Sequence, residues 1–313
     1  MLLRTILAAT TLAAALLVPA TAAVATPPTA TDRTSTTATG RATATTDQAA
    51  TSSATTADQA ATSAGRAGGT GTDQAAAATG GRAGGDPASA RVAATANPVI
   101  VVGGLVGVAI AYEPIAARLR ADGFRVYVYQ LPGLGFGDIT ESARAFATYV
   151  DQVRAATGAA RVDVVGHSEG GLVARWYAKF LGGTDRIGRY VSLGSPQQGT
   201  YVANILAFVG LGSCVGIIAC QQMSIGSDFL TDLNAGDDTP GAVRWTTIRT
   251  NQDELVRPVD NAILADGATN VLVQASCPLR VVGHLGLVLD GTTYTVVRQA
   301  LTDAPIRPNC LAL

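Results

Sequence analysis

The sequence predicts an α/β fold in which a mainly parallel central sheet is covered by helices on both faces. Two patterns lead to this prediction. Short, almost continuously apolar runs, typical of strands buried on both faces, alternate along the chain with longer stretches of helical periodicity. Such alternation favours strand–helix–strand units, which make neighbouring strands parallel. In sheets of this kind, functional groups gather beyond the carboxyl ends of the strands.

The predicted elements have sequence signals at their ends. The first apolar run stops at Gly103-Gly104, and the helix that follows it stops at Gly123. Thr140 can cap the second helix and Gly158 can end it, because glycine tolerates the left-handed conformation found there. The predicted strands are 98–102, 124–130, 161–166, 189–195, 243–250 and 269–274, and the predicted helices are 113–121, 140–157 and 171–181.

The first 25 residues have the layout of a secretory signal peptide. Arg4 precedes an apolar run from about Ile6 to Val18, and the small residues Ala23-Val24-Ala25 follow as a cleavage site. The run is short for a membrane span, which needs about 20 residues. The sequence therefore predicts a secreted, extracellular protein, with an uncleaved anchor as the alternative.

Residues 26–96 differ sharply in composition from the rest of the chain. The segment contains no Leu, Ile, Phe, Tyr, Trp or Met, and it repeats near-copies of TDQAATS and GRAGG. Without apolar area to offset the entropy of ordering, it is predicted to be a disordered linker. A binding role is the alternative. Residues 97–313 are predicted to form one domain with a sizeable core.

Charge and cysteine content limit the classes of partner. The net charge is −1 and no basic run is present, so a nucleic-acid partner is not expected. An even number of cysteines in an exported protein suggests disulfides, here Cys214 with Cys220 and Cys277 with Cys310. The cysteine spacings do not fit a zinc site. No cofactor or metal is predicted, although a structural calcium ion is left open.

The stretch VVGHSEGGLVARW, residues 164–176, places Ser168 between the third predicted strand and the third helix. A G-x-S-x-G turn in this context exposes a strained serine hydroxyl, and Gly166 and Gly170 avoid collisions with neighbouring backbone. The following helix points its N-terminus at the site and favours developing negative charge. Ser168 is thus a candidate nucleophile. The alternative is a glycine-rich turn without chemistry, as in nucleotide-binding folds.

A serine nucleophile needs a base, and the chain has two histidines. His167 adjoins Ser168, but neighbouring side chains on a sharp turn project in different directions, so His167 is expected to pack beside the strand. His284, in VVGHLGL, remains as the candidate base. Its position after the last predicted strand agrees with the order nucleophile, acid, histidine.

The acid should lie between these two residues and follow a strand. Asp253, in RTNQDELVRP, does so and would accept the Nδ1 proton of His284. Glu254 is the chief rival, and Asp260 and Asp266 are weaker ones. The structural alternative for Asp253 is a turn or a helix cap.

An oxyanion requires two preorganised backbone N–H donors. One is expected from Glu169, the residue after the nucleophile, and the other from Leu105 in the loop VVGGLVG after the first strand. Because the donors are amides, the carboxyl group of Glu169 is not required for this role.

Three segments carry a resemblance to a known family: GHSEGGLVARWY from residue 166, SLGSPQQGT from 192 and DELVRP from 253. They resemble the secreted bacterial lipases of the α/β-hydrolase superfamily, in particular the class 2 triacylglycerol lipase/esterase group, over almost all of 97–313. The resemblance implies an α/β-hydrolase fold and supports Asp253 over Glu254. The family usually has His-Gly after the first strand, where this chain has Gly103-Gly104.

The resemblance also bears on the apolar connection 201–220, YVANILAFVGLGSCVGIIAC. It implies a lid or cap beside an acyl-binding groove, stapled by Cys214 and Cys220. An exposed apolar patch of this kind often marks a binding surface. The alternative is a core helix packed under the sheet edge.

Residues and resemblance together predict a monomeric, secreted serine carboxylester hydrolase, a lipase that acts on lipid or ester substrates without a stable membrane span. The alternatives within the same chemistry are a short-chain esterase, a polyester depolymerase and an acyltransferase. From another class, the chain could be a non-catalytic lipid- or wall-binding protein that retains the fold.

Overall fold

The computed structural model describes residues 97–210 and 213–313, except the side chains of 208 and 209. The predicted signal peptide (1–25) and linker (26–96) lie outside the described residues. The strands are β1 Val99–Val102, β2 Val126–Tyr129, β3 Val162–His167, β4 Ile187–Leu193, β5 Arg244–Arg249 and β6 Thr269–Leu272. The α-helices are α1 Glu113–Ala121, α2 Ile139–Thr157, α3 Glu169–Phe180, α4 Val202–Val209, α5 Ile218–Gln222, α6 Asp228–Asn234, α7 Val273–Ser276 and α8 Gly291–Leu301.

The six strands form one sheet in the order β2-β1-β3-β4-β5-β6, and every neighbouring pair is parallel. The predicted parallel sheet is therefore confirmed. Val102 pairs with Gly166, and Gly166 pairs with Ser192, so the carboxyl ends of β1, β3 and β4 lie level. The loops that follow these three strands consequently open on the same edge of the sheet.

Alternating strand residues divide the core into two layers. Ile100 and Val164 belong to a cluster with residues of α2, α3 and α6 on one face of the sheet. Val101 and Val165 belong to the opposite cluster, which contains residues of α1 and α8. Because successive side chains of a strand point to opposite faces, the continuously apolar runs supply both layers at once.

Two predicted helix starts are wrong by one or two residues. Asp138, not Thr140, caps α2, and its Oδ1 accepts a hydrogen bond of 2.7 Å from the Thr140 N–H. Gly158 ends this helix in the left-handed conformation, as predicted. The third helix starts at Glu169, directly after Ser168, because the Gly171 N–H already donates to the Ser168 carbonyl.

The C-terminal helix α8 is absent from the sequence prediction. Its sequence, GTTYTVVRQAL, is rich in β-branched residues, which favour strands. The Asp290 side chain caps it by accepting from the Thr293 N–H, and Val296 and Val297 are fully buried. Tertiary packing and a cap therefore override the local propensity.

The apolar connection 201–220 forms α4 and the start of α5, with residues 211 and 212 outside the description. Ile205 is buried, whereas Tyr201 and Val202 are exposed, so the segment is neither a fully buried core helix nor fully in solvent. Disulfides join Cys214 to Cys220 and Cys277 to Cys310, as the sequence predicts. In the described part of the chain, none of the helices has the length and apolar character that a bilayer crossing requires.

Candidate active site

Ser168 occupies a strained turn between β3 and α3. Its backbone angles are φ 54° and ψ −126°, a conformation that a residue with a side chain rarely adopts. The turn is held by its neighbours: the Ser168 N–H donates to the Leu193 carbonyl at 2.9 Å, and the Gly171 N–H donates to the Ser168 carbonyl at 3.1 Å. Strain of this kind persists only where the surrounding structure over-determines it, and it is frequent at functional sites.

The flanking glycines leave no room for side chains, as the sequence predicts. A Cβ atom at Gly166 would lie 2.7 Å from the backbone of Gly171. A Cβ atom at Gly170 would lie 2.5 Å from the Gly103 carbonyl oxygen and 2.6 Å from that of Val102. The tight passage from β3 to α3 therefore depends on both glycines.

Asp253 and His284 meet in the core, although 31 positions separate them along the chain. His284 Nδ1 lies 2.9 Å from Oδ2 and 3.1 Å from Oδ1 of Asp253, and both side chains are buried. Asp253 Oδ1 also accepts from the N–H groups of Leu255 (2.9 Å) and Val256 (2.7 Å). A carboxylate is an acceptor only, so His284 Nδ1 carries a proton and donates a hydrogen bond to Asp253.

The rival carboxyl groups have other partners. Glu254 Oε2 accepts from the backbone N–H of His284 at 2.8 Å, so this residue supports the histidine loop rather than the imidazole. Asp260 bonds Arg249 at the surface, and Asp266 accepts from the backbone N–H of Asp238. Of the four acids considered from the sequence, the structure brings Asp253 to the His284 ring.

Ser168 and His284 line the same cleft, which has a volume of about 330 Å³. Its walls come from the loop after β1, the turn at Ser168 and the segment that follows His284. Most of the lining is apolar: Leu105, Val106, Val108, Ala111, Leu285, Val288 and Leu289. A reacting group in this cleft would contact both predicted catalytic side chains and would lie largely among aliphatic groups.

The loop after β1 passes directly beside the serine. A Cβ atom at Gly104 would lie 2.8 Å from the Ser168 Cβ and 3.4 Å from the Glu169 backbone nitrogen. Leu105, the next residue, is buried and lines the cleft. Of the two residues predicted to supply oxyanion donors, Leu105 lines the cleft with Ser168, and the backbone nitrogen of Glu169 lies close to the loop at Gly104.

A family model for the α/β-hydrolase fold matches residues 97–219, which include β1, β3 and the turn at Ser168. The six-stranded parallel sheet and the placement of the serine turn agree with this match. The chain therefore has the α/β-hydrolase fold.

Several curated proteins similar to this chain are lipases. The triacylglycerol lipase of Pseudarthrobacter phenanthrenivorans is 31% identical over 166 residues, which are 50% of this chain and 51% of the relative. The triacylglycerol lipase of Burkholderia plantarii is also 31% identical over 166 residues, covering 50% of this chain and 46% of the relative. The chain thus spans about half the length of the curated relatives it matches.

Solved structures of lipases share the fold at low sequence identity. Lipase B of Aspergillus fumigatus superposes with a TM-score of 0.57 at 20% identity, covering 67% of this chain and 53% of that one. The mature lipase BlEst2 of Bacillus licheniformis gives a TM-score of 0.53 at 19% identity, covering 70% of this chain and 94% of that one. Both comparisons support the α/β-hydrolase architecture.

Glu169 introduces a buried carboxyl group into the candidate site. The residue is fully buried, and neither carboxyl oxygen has a hydrogen-bond partner among the described residues. Desolvation raises the pKa of Glu169 well above its ordinary value. Burial therefore favours the neutral form of this carboxyl group.

The Glu169→Gln variant should show a flatter dependence of stability on pH. Above pH ~4.3 an unfolded chain releases the glutamate proton, while the folded chain retains it. The unfolded state then binds fewer protons, so the free energy of unfolding of the wild type falls as pH rises, by at most about 1.4 kcal/mol per pH unit. Glutamine does not titrate, so the variant lacks this contribution to the pH dependence of the free energy of unfolding.

Urea unfolding at pH 5, 7 and 9 measures this slope. Glu141→Gln is the matched control, because Glu141 is exposed on α2 and pairs with Arg144 at the surface. That variant should keep the slope of the wild type. Equal slopes in the Glu169→Gln variant and the wild type would contradict a neutral buried carboxyl.

His167, the last residue of β3, is also buried; the sequence predicts that it packs beside the strand, and in the structure it also lines the cleft. Burial, with a smaller contribution from neighbouring His284, lowers the pKa of His167 to about 3, so its ring is neutral. His167 Nε2 lies 3.2 Å from the His284 carbonyl oxygen, and Nδ1 lies 3.1 Å from the Tyr112 hydroxyl. Tyr112 was not identified from the sequence as a residue of the site. The one signal for it in the sequence is the glycine at position 103, whose missing side chain leaves space for the Tyr112 ring.

Proposed function

We propose that the protein is an exported serine carboxylester hydrolase, a lipase that hydrolyses acylglycerol esters. One observation carries the proposal: Ser168 in its strained turn and His284, which is bonded to Asp253, line one cleft. Lipase relatives support the substrate class. The apolar cleft wall also supports it, because an acyl chain would be in contact with aliphatic side chains.

In the proposed reaction, Ser168 Oγ attacks the ester carbonyl carbon while His284 Nε2 takes the hydroxyl proton. Asp253 accepts the hydrogen bond from Nδ1 and stabilises the imidazolium that forms. The amides of Leu105 and Glu169 bind the developing oxyanion. His284 then gives its proton to the leaving alcohol, which leaves an acyl-enzyme at Ser168.

Water completes the cycle. His284 removes a proton from the water as it attacks the acyl carbon, and returns that proton to Ser168 Oγ when the acid leaves. The products are an alcohol and a carboxylic acid, so atoms and charge balance without a cofactor in this scheme.

We further propose that residues 1–25 are a cleaved signal, 26–96 a linker and 97–313 the catalytic domain. The two disulfides support export, because such bonds persist in oxidising compartments.

A fluorophosphonate probe tests the proposal on the full chain. We expect one covalent adduct per molecule, on the peptide that contains Ser168, and loss of ester hydrolysis in proportion to labelling. Digestion and mass spectrometry locate the adduct. A folded protein that neither reacts with the probe nor hydrolyses esters would overturn the proposal in favour of a non-catalytic lipid- or wall-binding protein.

Substrate assays in parallel resolve the chemistry more finely. Turnover of emulsified long-chain triglyceride identifies a lipase. Activity restricted to soluble short esters identifies a short-chain esterase, release of monomers from a polyester film a depolymerase, and transfer to an added alcohol in preference to water an acyltransferase.

A further inference from the structure

We propose that Tyr112 and His167 form a positioning relay, which ties the loop bearing the Leu105 amide to the backbone of His284. The inference rests on the proposed function, since it concerns the same site. Neither residue is a catalytic residue in this proposal: each acts through the groups that it holds in place.

Tyr112 fills the space left by the glycine at position 103. A Cβ atom at Gly103 would lie 2.8 Å from Tyr112 Cε2 and 3.2 Å from Cζ, so the phenol ring occupies the volume beside that backbone. Tyr112 ends the helical turn Ala109–Tyr112 that precedes α1, and it is buried.

The direction of each hydrogen bond follows from the groups involved. The His284 carbonyl can only accept, so the His167 Nε2 atom carries the ring proton and donates across 3.2 Å. His167 Nδ1 is then an acceptor, because the ring is neutral, and the Tyr112 hydroxyl donates to it across 3.1 Å. The same hydroxyl oxygen accepts from the Gly104 N–H at 2.9 Å.

These bonds form one continuous series from Gly104 through Tyr112 and His167 to His284. All three hydrogen bonds are buried, so water does not compete for their donors and acceptors. The hydroxyl holds the amide of Gly104, whose Cα lies against the Ser168 side chain. The next amide along is that of Leu105, the proposed oxyanion donor.

The relay connects parts of the chain that are distant in sequence. Tyr112 and His167 are 55 positions apart, and His167 and His284 are 117 apart. A single side chain at the end of β3 therefore fixes the oxyanion side of the cleft relative to the base side. A displacement of about 1 Å between such groups can reduce a rate by about 100-fold.

The Tyr112→Phe variant tests the relay, because it removes the hydroxyl and retains the ring that fills the space beside Gly103. We expect kcat for a p-nitrophenyl ester to fall by about 10- to 100-fold, with KM nearly unchanged. Affinity for an alkyl boronic acid, which forms a tetrahedral adduct on the serine, should fall by a similar factor. A merely structural hydroxyl would lower the urea midpoint without this selective loss.

Tyr294→Phe is the matched control. It also removes one hydroxyl hydrogen bond, from Tyr294 to Asp122, but on α8 and outside the cleft lining. Its kcat and boronic acid affinity should equal those of the wild type. If Tyr112→Phe behaves like this control, the relay is overturned.

A double-mutant cycle with His167→Leu provides an independent measurement. Because the two residues act as one unit in the relay, the double variant should be no slower than His167→Leu alone. Fully additive losses of kcat in the double variant would overturn the relay. If His167→Leu does not fold, the kcat, KM and boronic acid affinity of Tyr112→Phe alone decide whether the relay exists. Wild-type turnover in the same assay reports separately on the proposed function.

Discussion

The Ser168→Ala variant should lose ester hydrolysis by a factor of about 10⁶ in kcat, the size of effect seen when a nucleophile is removed from a serine hydrolase. The structure gives the physical reason. Ser168 is held at φ 54° at the carboxyl edge of the sheet, and it lines one cleft with Leu105 and His284. Alanine keeps the turn but provides no atom that can form an acyl-enzyme.

The control for this experiment is Ser142→Ala. Ser142 is another buried serine, but it lies in α2, and alanine is favourable in a helix. Its kcat should remain within twofold of the wild type. Initial rates with a chromogenic ester, together with circular dichroism to verify folding, measure both variants. Substantial turnover by a folded Ser168→Ala protein would remove the basis of the proposed mechanism.

The Asp253→Asn variant should reduce kcat by about 10⁴-fold. Two backbone N–H groups, from Leu255 and Val256, bond Oδ1, so the carbonyl oxygen of an asparagine would remain on that side. Its NH₂ group would then face His284 Nδ1 in place of Oδ2. Nδ1 would become an acceptor, the ring proton would move to Nε2, and Nε2 could no longer take the proton from Ser168.

Glu254→Gln is the matched control for the acid. Glutamine keeps an amide oxygen that can accept from the His284 N–H, as Glu254 Oε2 does at 2.8 Å. We expect a loss of no more than about tenfold from this change, in line with a supporting hydrogen bond. Steady-state kinetics on both variants compare the two acids directly. A larger loss in Glu254→Gln than in Asp253→Asn would mean that the acid is wrongly assigned.

The sequence predicts most of the sheet because one physical signal defines it. A strand such as VIVV is apolar at every position, and only burial on both faces makes that pattern favourable. The same reasoning fails for α8, whose threonines and valines indicate a strand when considered alone. There, packing of Val296 and Val297 against the sheet decides the structure.

The residues of the candidate site are likewise only partly predictable from the sequence. Counting histidines singles out His284, and the segment after β5 indicates Asp253, because chain order and strand ends are visible in a sequence. The partnership of Tyr112 with His167 is not visible, since it depends on the space left at Gly103 and on side-chain directions after folding. The desolvated state of Glu169 likewise follows from the surrounding packing rather than from its own position in the motif.

The bond between Cys277 and Cys310 has a consequence for the base. It closes a loop with a sequence separation of 33, and that loop contains His284 and all of α8. A loop of this length restricts the unfolded chain by about 3 to 4 kcal/mol in the chain-entropy account. The imidazole is therefore carried on a covalently closed segment, and the last residues of the domain cannot separate from it without reduction.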